Sequence, residues 1–104
     1  MYDLSGKVAL ITGAGGEKGF GRAIATRLAQ EGASVAVNDI FANPYGVSGW
    51  GGIDSVVEEI EANGGQAMPI LADVSNGDDV DSMVYKVIER FGRLDILVAN
   101  AGSR

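Results

Sequence analysis

The chain has 104 residues, which suits one small domain with a core of its own. Eight Lys and Arg residues against fourteen Asp and Glu give a net charge of −6. This charge excludes binding to the nucleic-acid backbone or to an anionic membrane by bulk attraction. Cys and His are absent, which excludes disulfides, thiol nucleophiles and Ser-His-Asp catalysis, and no metal site is expected. Glycine is over-represented with 16 residues, about twice the usual share of roughly 7%.

The first part of the chain predicts a strand, a glycine-rich turn, a helix and a second strand. The apolar run at residues 8–11 indicates a strand buried on both faces. After the glycine-rich residues 13–21, apolar residues recur at helical spacing until Gly32 ends the helix. Residues 34–38 predict the second strand, which ends at Asp39.

The remainder repeats this alternation after a long loop. Residues 40–52 contain four glycines and a proline, a composition typical of a loop. The elements that follow are a helix that starts at residue 53 and is ended by residues 63–65, a strand over 66–71, a helix over 78–91 and a strand over 94–99. Pro69 favours a strand end or a sheet edge for the third strand.

The order β-α-β-α-β-α-β predicts an α/β fold of the Rossmann type, a doubly wound parallel sheet with helices on both faces. Right-handed crossovers predict the strand order 3-2-1-4. These elements make up just over half of a doubly wound nucleotide-binding fold, so we expect the sheet to be incomplete at its C-terminal side.

The glycine-rich turn has the features of a phosphate-binding turn. It follows a buried strand and opens a helix, where glycines allow a tight turn, close approach to a pyrophosphate and close helix–strand packing. The N-terminus of the helix adds unpaired N–H groups and a positive dipole end. The cofactor-binding residues predicted here are Gly13, Gly15, Lys18, Gly19, Phe20 and Gly21. The alternative is a merely flexible loop.

Asp39 bears on which dinucleotide is bound. It ends the second strand about eighteen residues after Gly21, where an acid accepts hydrogen bonds from the adenosine ribose and repels a 2′-phosphate. Lys18 favours NADP instead, because a basic side chain in the turn can pair with a 2′-phosphate. Asp39 is better placed, so the sequence favours NAD over NADP, with Ile40 beside it as a further cofactor-binding residue.

Four blocks of the sequence, in this order, resemble a short-chain dehydrogenase/reductase of the classical type. They are the turn from Thr12 to Gly21, the acid Asp39, the pair Asp73-Val74, and the triplet Asn100-Ala101-Gly102. On this resemblance we interpret residues 1–104 as the NAD(P)-binding Rossmann domain at the N-terminal end of such an enzyme.

The resemblance implies roles for the matched residues. Glycines 13, 19 and 21 would lie against the pyrophosphate. Asp73 and Val74 would contact adenine through a side chain and a backbone N–H. Asn100 would tie strands of the sheet together, while Ala101 and Gly102 would line the cofactor groove.

The turn departs from the family pattern. Five residues separate Gly13 from Gly19 where the family has three, so either Gly13 or Gly15 makes the tight turn. The longer gap also resembles the divergent enoyl-reductase branch, whereas Asp39 and the block at residues 100–102 resemble the classical branch. The loop at residues 40–52 is a second departure, and its aromatic residues would pack on adenine or on the domain surface.

The family's catalytic residues have no counterpart in this chain. They are a Tyr, a Lys four residues later and a Ser upstream, with the Tyr as general acid/base. The tyrosines here, Tyr2, Tyr45 and Tyr85, are followed four residues later by Gly6, Gly49 and Glu89. In the family these residues come after the Asn-Ala-Gly block, so no catalytic residue is predicted.

Two functions are favoured over a third, an α/β regulator of flavodoxin-like type, because the sequence lacks the cluster of acidic residues at strand ends that phosphoacceptor chemistry needs. The first is the N-terminal part of an oxidoreductase that moves hydride between NAD and an alcohol or ketone, and the family resemblance implies that most substrate contacts come from the part after these residues. The second is a nucleotide-binding module without turnover. In both cases we expect no nucleic-acid or membrane partner. We expect a cytoplasmic protein, because the N-terminus lacks a signal-peptide pattern. We also expect a homo-oligomer, because the last strand would expose an apolar edge.

Overall fold

The computed structural model describes residues 3–16, 19–41 and 51–100. Within these residues four strands alternate with three helices, as the sequence predicts. The strands are β1 (Val8–Ile11), β2 (Ser34–Asp39), β3 (Gln66–Leu71) and β4 (Ile96–Val98). The helices are α1 (Phe20–Gln30), α2 (Ile53–Ala62) and α3 (Gly77–Phe91).

The strands form one parallel sheet in the order β3-β2-β1-β4, which confirms the predicted topology. β1 is buried along its whole length and pairs with β2 on one side and β4 on the other. β3 lies at an edge, as expected from Pro69, which stands opposite Val37. A parallel sheet of this kind brings all strand ends that precede a helix to one edge.

Each face of the sheet has its own apolar core. One face packs against α1 and α2, and the other packs against α3. The buried residues of the first face include Ala9, Ile11, Val35, Val37, Ala25, Val56 and Ile60. Those of the second include Val8, Leu10, Ala36, Ile70, Met83 and Val87. Alternate residues of β1 and β2 thus serve opposite faces, which explains why these strands read as continuous apolar runs.

The fourth strand is shorter than predicted, spanning Ile96–Val98 instead of residues 94–99. At its start the Asp95 N–H donates to the Val8 carbonyl at 2.9 Å, but the Val8 N–H donates to the Asp95 carboxylate, with Oδ2 as acceptor at 2.9 Å, instead of to a backbone carbonyl. At its end the Asn100 N–H turns back to the Val98 carbonyl at 3.1 Å. Polar contacts at both ends thus shorten β4 relative to the strand that the apolar residues at 94–99 predict.

The third helix begins one residue earlier than predicted, at Gly77. Asn76 caps it, since its side-chain oxygen accepts the Asp79 N–H at 3.1 Å. The first helix ends at Gln30, two residues before Gly32, and the second ends at Ala62, directly before residues 63–65, which the sequence predicts to end it.

Most of the predicted loop, residues 42–50 with Tyr45 and Trp50, lies outside the described residues. Within the part that the structure describes, no helix is long and apolar enough to cross a membrane. The same residues contain no group of three or more acidic side chains placed to hold a metal ion.

Candidate functional site

The predicted site residues meet at the carboxyl edge of the sheet. β1 leads into the glycine turn, β2 ends in Asp39, β3 leads into Asp73-Val74, and β4 leads to Asn100. In open parallel sheets this edge is where ligands bind. Of the other predicted residues, Lys18, Ala101 and Gly102 lie outside the described residues.

Gly13 makes the tight turn after β1. Its φ is +66°, a left-handed conformation that glycine adopts without strain. This answers the choice between Gly13 and Gly15 that the lengthened motif leaves open. Gly15 has a different role: its N–H donates to the Asp39 carboxylate and so connects the turn to the end of β2.

Gly21 is required by packing inside the protein. A Cβ at this position would lie 2.8 Å from both the Ala14 Cα and the Gly13 carbonyl oxygen, and 2.9 Å from Asn100 Nδ2. The glycine therefore lets the start of α1 press against the turn and the end of β4. Its contact with a pyrophosphate stays a prediction.

Gly19 is different, because the described protein atoms leave room beside it. It is the N-cap of α1, with φ −82° and ψ 158°, a conformation open to any residue. A Cβ would meet the Gly16 carbonyl oxygen at 3.8 Å and the Gly21 nitrogen at 4.0 Å, which are ordinary contacts. Glycine has no side chain to cap the helix, and the next residue, Phe20, is 81% exposed. Among the described residues the N-cap of α1 thus makes no side-chain cap bond, and a helix N-terminus favours an anion.

Asp39 joins the end of β2 to the glycine turn. The residue is only 5% exposed, and its carboxylate accepts the Gly15 N–H at 3.0 Å and the Ile40 N–H at 2.8 Å. Each carboxylate oxygen receives one of these bonds and has a second acceptor position. A carboxylate held in this way can keep its backbone contacts and still accept a hydroxyl from a ligand.

Asp73 is held in a tight local turn after β3. Its Oδ1 accepts the Ser75 hydroxyl at 2.6 Å and the Ser75 N–H at 2.9 Å. These bonds, the hydroxyl first, lower the pKa of the Asp73 carboxyl below its ordinary value, so the group is ionised at neutral pH. The Asp73 N–H donates to Asp79 Oδ2 at 3.0 Å, which fixes the turn to α3. Val74, next to it, is exposed.

Asn100 links the end of β4 to the start of the glycine turn. Its backbone N–H donates to the Thr12 hydroxyl at 3.0 Å, and its Nδ2 donates to the Gly13 carbonyl at 3.2 Å. The turn is therefore held on both sides, by Asn100 from β4 and by Asp39 from β2.

Asn38 is a buried polar residue that the sequence reasoning missed. Its Nδ2 lies 3.1 Å from the Ile70 carbonyl and 3.2 Å from the Ala72 carbonyl, at the end of β3. The available signal was an amide residue in an otherwise apolar strand, since buried amides need partners. The prediction treated it only as the end of the strand.

The comparisons with known proteins identify the family of this chain. The short-chain dehydrogenase family model matches residues 7–104. Versicolorin reductase of Emericella nidulans is 46% identical over 101 residues, covering 97% of this chain and 35% of that protein. A 3-oxoacyl-[acyl-carrier-protein] reductase of Synechocystis is 43% identical over 102 residues, covering 98% and 38%.

A solved structure shares the fold as well as the sequence. The crystal structure of a short-chain dehydrogenase/reductase from Burkholderia xenovorans superposes with a TM-score of 0.82 at 43% identity, covering 96% of this chain and 38% of that one. The fold is thus that of a Rossmann-type oxidoreductase. The chain belongs to the short-chain dehydrogenase family, and it spans a little over a third of the length of these relatives.

Proposed function

We propose that residues 1–104 form the NAD-binding domain of a short-chain dehydrogenase/reductase. The observation that carries this proposal is the contact between the Gly15 N–H and the Asp39 carboxylate, 3.0 Å apart. It joins the two groups that a dinucleotide needs side by side, a phosphate-binding turn and an acceptor for ribose hydroxyls.

In the proposed complex the cofactor lies along the carboxyl edge of the sheet. The pyrophosphate sits on the turn from Gly13 to Gly21 at the start of α1, where N–H groups and the helix dipole favour an anion. Asp39 accepts the hydroxyls of the adenosine ribose. Adenine lies between Ile40 and Val74, both exposed in the structure, with the Asp73 carboxylate at its amino group.

The cofactor we propose is NAD in preference to NADP. The Asp39 carboxylate is fixed by two backbone N–H groups, so it cannot swing away to admit a second anion without losing both bonds. A 2′-phosphate on the adenosine ribose would stand against this negative charge. The net charge of −6 adds to the repulsion.

We propose that the whole protein transfers hydride between this cofactor and an alcohol or ketone. The bound dinucleotide supplies the hydride chemistry, and this chain's residues bind and orient it. The printed names of two relatives, versicolorin reductase and 3-oxoacyl-[acyl-carrier-protein] reductase, support a carbonyl substrate. No Tyr in this sequence is followed four residues later by Lys, so we expect binding without turnover from these residues alone.

Titration with NADH, followed by the fluorescence of the reduced nicotinamide, tests the proposal. The wild type is expected to bind with a saturable signal. Gly19→Val is expected to stay folded, since its Cβ has room, but to lose binding at least about tenfold because the side chain occupies the phosphate position.

Gly77→Val is the matched control. A Cβ at Gly77 meets nothing within 4 Å, so this variant is expected to fold and bind like the wild type. Absence of NADH binding by the wild type, or equal binding by Gly19→Val, contradicts the proposal.

A further inference from the structure

Asn38 is a deeply buried polar side chain near the candidate site, and none of the proposed cofactor contacts involves it. It is 1% exposed and lies on the face of the sheet that packs against α3, two residues after Ala36. Both of its near neighbours at the end of β3 are carbonyl oxygens, of Ile70 and Ala72, so the amide nitrogen must face them. The Asn38 side chain therefore bonds the protein backbone, and we assign it no direct contact with a ligand.

The bond to Ala72 extends the β2–β3 connection past the end of the strand. The last paired residues of the ladder are Asp39 and Leu71. Beyond them the Ala72 N–H donates to the Asp39 carbonyl at 3.2 Å, while the Ala72 carbonyl accepts from Asn38 Nδ2 at 3.2 Å. Both backbone groups of Ala72 are thereby fixed by two consecutive residues of β2.

Ala72 is the residue directly before Asp73-Val74, so this fixed point is where the adenine-side turn begins. From the other end the turn is held to α3, through the bond from the Asp73 N–H to Asp79. We propose that Asn38 is a positioning residue that sets the place of Asp73-Val74 and so makes the site selective for adenine. This inference rests on the proposed dinucleotide function.

The selectivity follows from donor and acceptor types. The ionised Asp73 carboxylate only accepts hydrogen bonds, and the Val74 backbone N–H only donates. Adenine offers a matching amino group and ring nitrogen. Hypoxanthine offers a carbonyl and a ring N–H, which mismatch both. Displacing the turn therefore removes the preference for adenine, whereas the pyrophosphate and ribose contacts of the glycine turn and Asp39 are retained.

The test compares NADH with reduced nicotinamide hypoxanthine dinucleotide, which differs only at the base. Both are titrated by dihydronicotinamide fluorescence, and the ratio of their Kd values is determined. Asn38→Asp keeps the size of the side chain but places an oxygen against the two carbonyls. Asn38→Ser is a second variant that keeps a single donor. Ser34→Ala is the control, since Ser34 lies on the same face of β2 and bonds Gln66 of β3 at the opposite edge.

We expect the wild type and Ser34→Ala to prefer NADH by about tenfold or more, a difference typical of one or two hydrogen bonds. Asn38→Asp is expected to reduce this preference at least threefold, and Asn38→Ser to lie between. Partial unfolding does not change the ratio, because unfolded chains bind neither ligand. An unchanged ratio in both Asn38 variants, or no preference in the wild type, overturns the inference. Failure of the wild type to bind NADH overturns instead the proposed function.

Discussion

At the scale of single residues, Asp39 has two roles, of which the sequence indicates only the first. Its place at the end of β2 suits a ribose acceptor. In the structure it also receives the Gly15 N–H, so it is part of the support of the glycine turn. Its replacement therefore acts on the shape of the phosphate-binding turn as well as on cofactor choice.

Asp39→Ala is expected to narrow the gap between the Kd values for NADH and NADPH by ~1–3 kcal/mol, because hydroxyl bonds are lost and phosphate repulsion is relieved. NADH binding falls at the same time, since the bond from the Gly15 N–H to the Asp39 carboxylate is lost. Fluorescence titration with both cofactors measures this. Asp78→Ala, which removes an exposed charge from the first turn of α3, is the control for net charge. A wild type that prefers NADPH would show that another group, Lys18 first, governs the choice.

At the scale of elements, Asp95 determines how β4 joins the sheet. Its carboxylate accepts the Val8 N–H and pairs with Arg93 at 2.7 Å. The Arg93 hydrogen bond first, and then the backbone bond from Val8, lower the pKa of the Asp95 carboxyl below its ordinary value. A depressed pKa in the folded state adds stability above the unfolded-state pKa, and this is lost as pH falls through the folded-state value.

We therefore expect Asp95→Asn to lower the free energy of unfolding by a constant amount from pH 7 to about 5, with the difference from wild type shrinking below about pH 4. Urea unfolding at a series of pH values measures the difference. Asp81→Asn, a change at an exposed position of α3, is the control and is expected to have little effect. A difference for Asp95→Asn that grows towards low pH would contradict this assignment.

The sequence predicted elements well where one periodic signal dominated. β1 and β2 are buried on both faces and therefore read as continuous apolar runs. β4 was overextended, because the Asp95 carboxylate and the Asn100 turn end it through contacts with distant residues. Asn38 was missed for the same reason, since its partners lie about thirty residues away. Contacts of this kind have no local pattern.

At the scale of the whole molecule, β4 has an unpaired edge among the described residues, since it pairs there only with β1. Leu97, in register with Leu10, is 62% exposed on the face that carries α3. Ile88 and Tyr85 of α3 are also exposed. An open strand edge with apolar residues beside it favours association with another chain or segment.

We expect the isolated 104-residue chain to self-associate through this edge, because backbone N–H and C=O groups of β4 there have no partner in the described sheet. Light scattering over a concentration series measures the mass. Leu97→Lys is expected to shift the distribution towards the monomer, whereas Leu71→Lys, at the exposed end of β3, is the control. A monodisperse 10.7 kDa wild type at high concentration would contradict this prediction.

Hydrogen exchange with and without NAD tests the central claim most directly, because it locates the cofactor without altering the protein. The account predicts slower exchange at the carboxyl edge, in residues 13–16, 38–41 and 72–76, where the turn, Asp39 and Asp73-Val74 lie. Residues 3–6 and 62–65, at the opposite edge, are expected to be unchanged. Protection that is absent from residues 13–16, or that is as strong at the opposite edge, would contradict binding of the dinucleotide at the glycine turn.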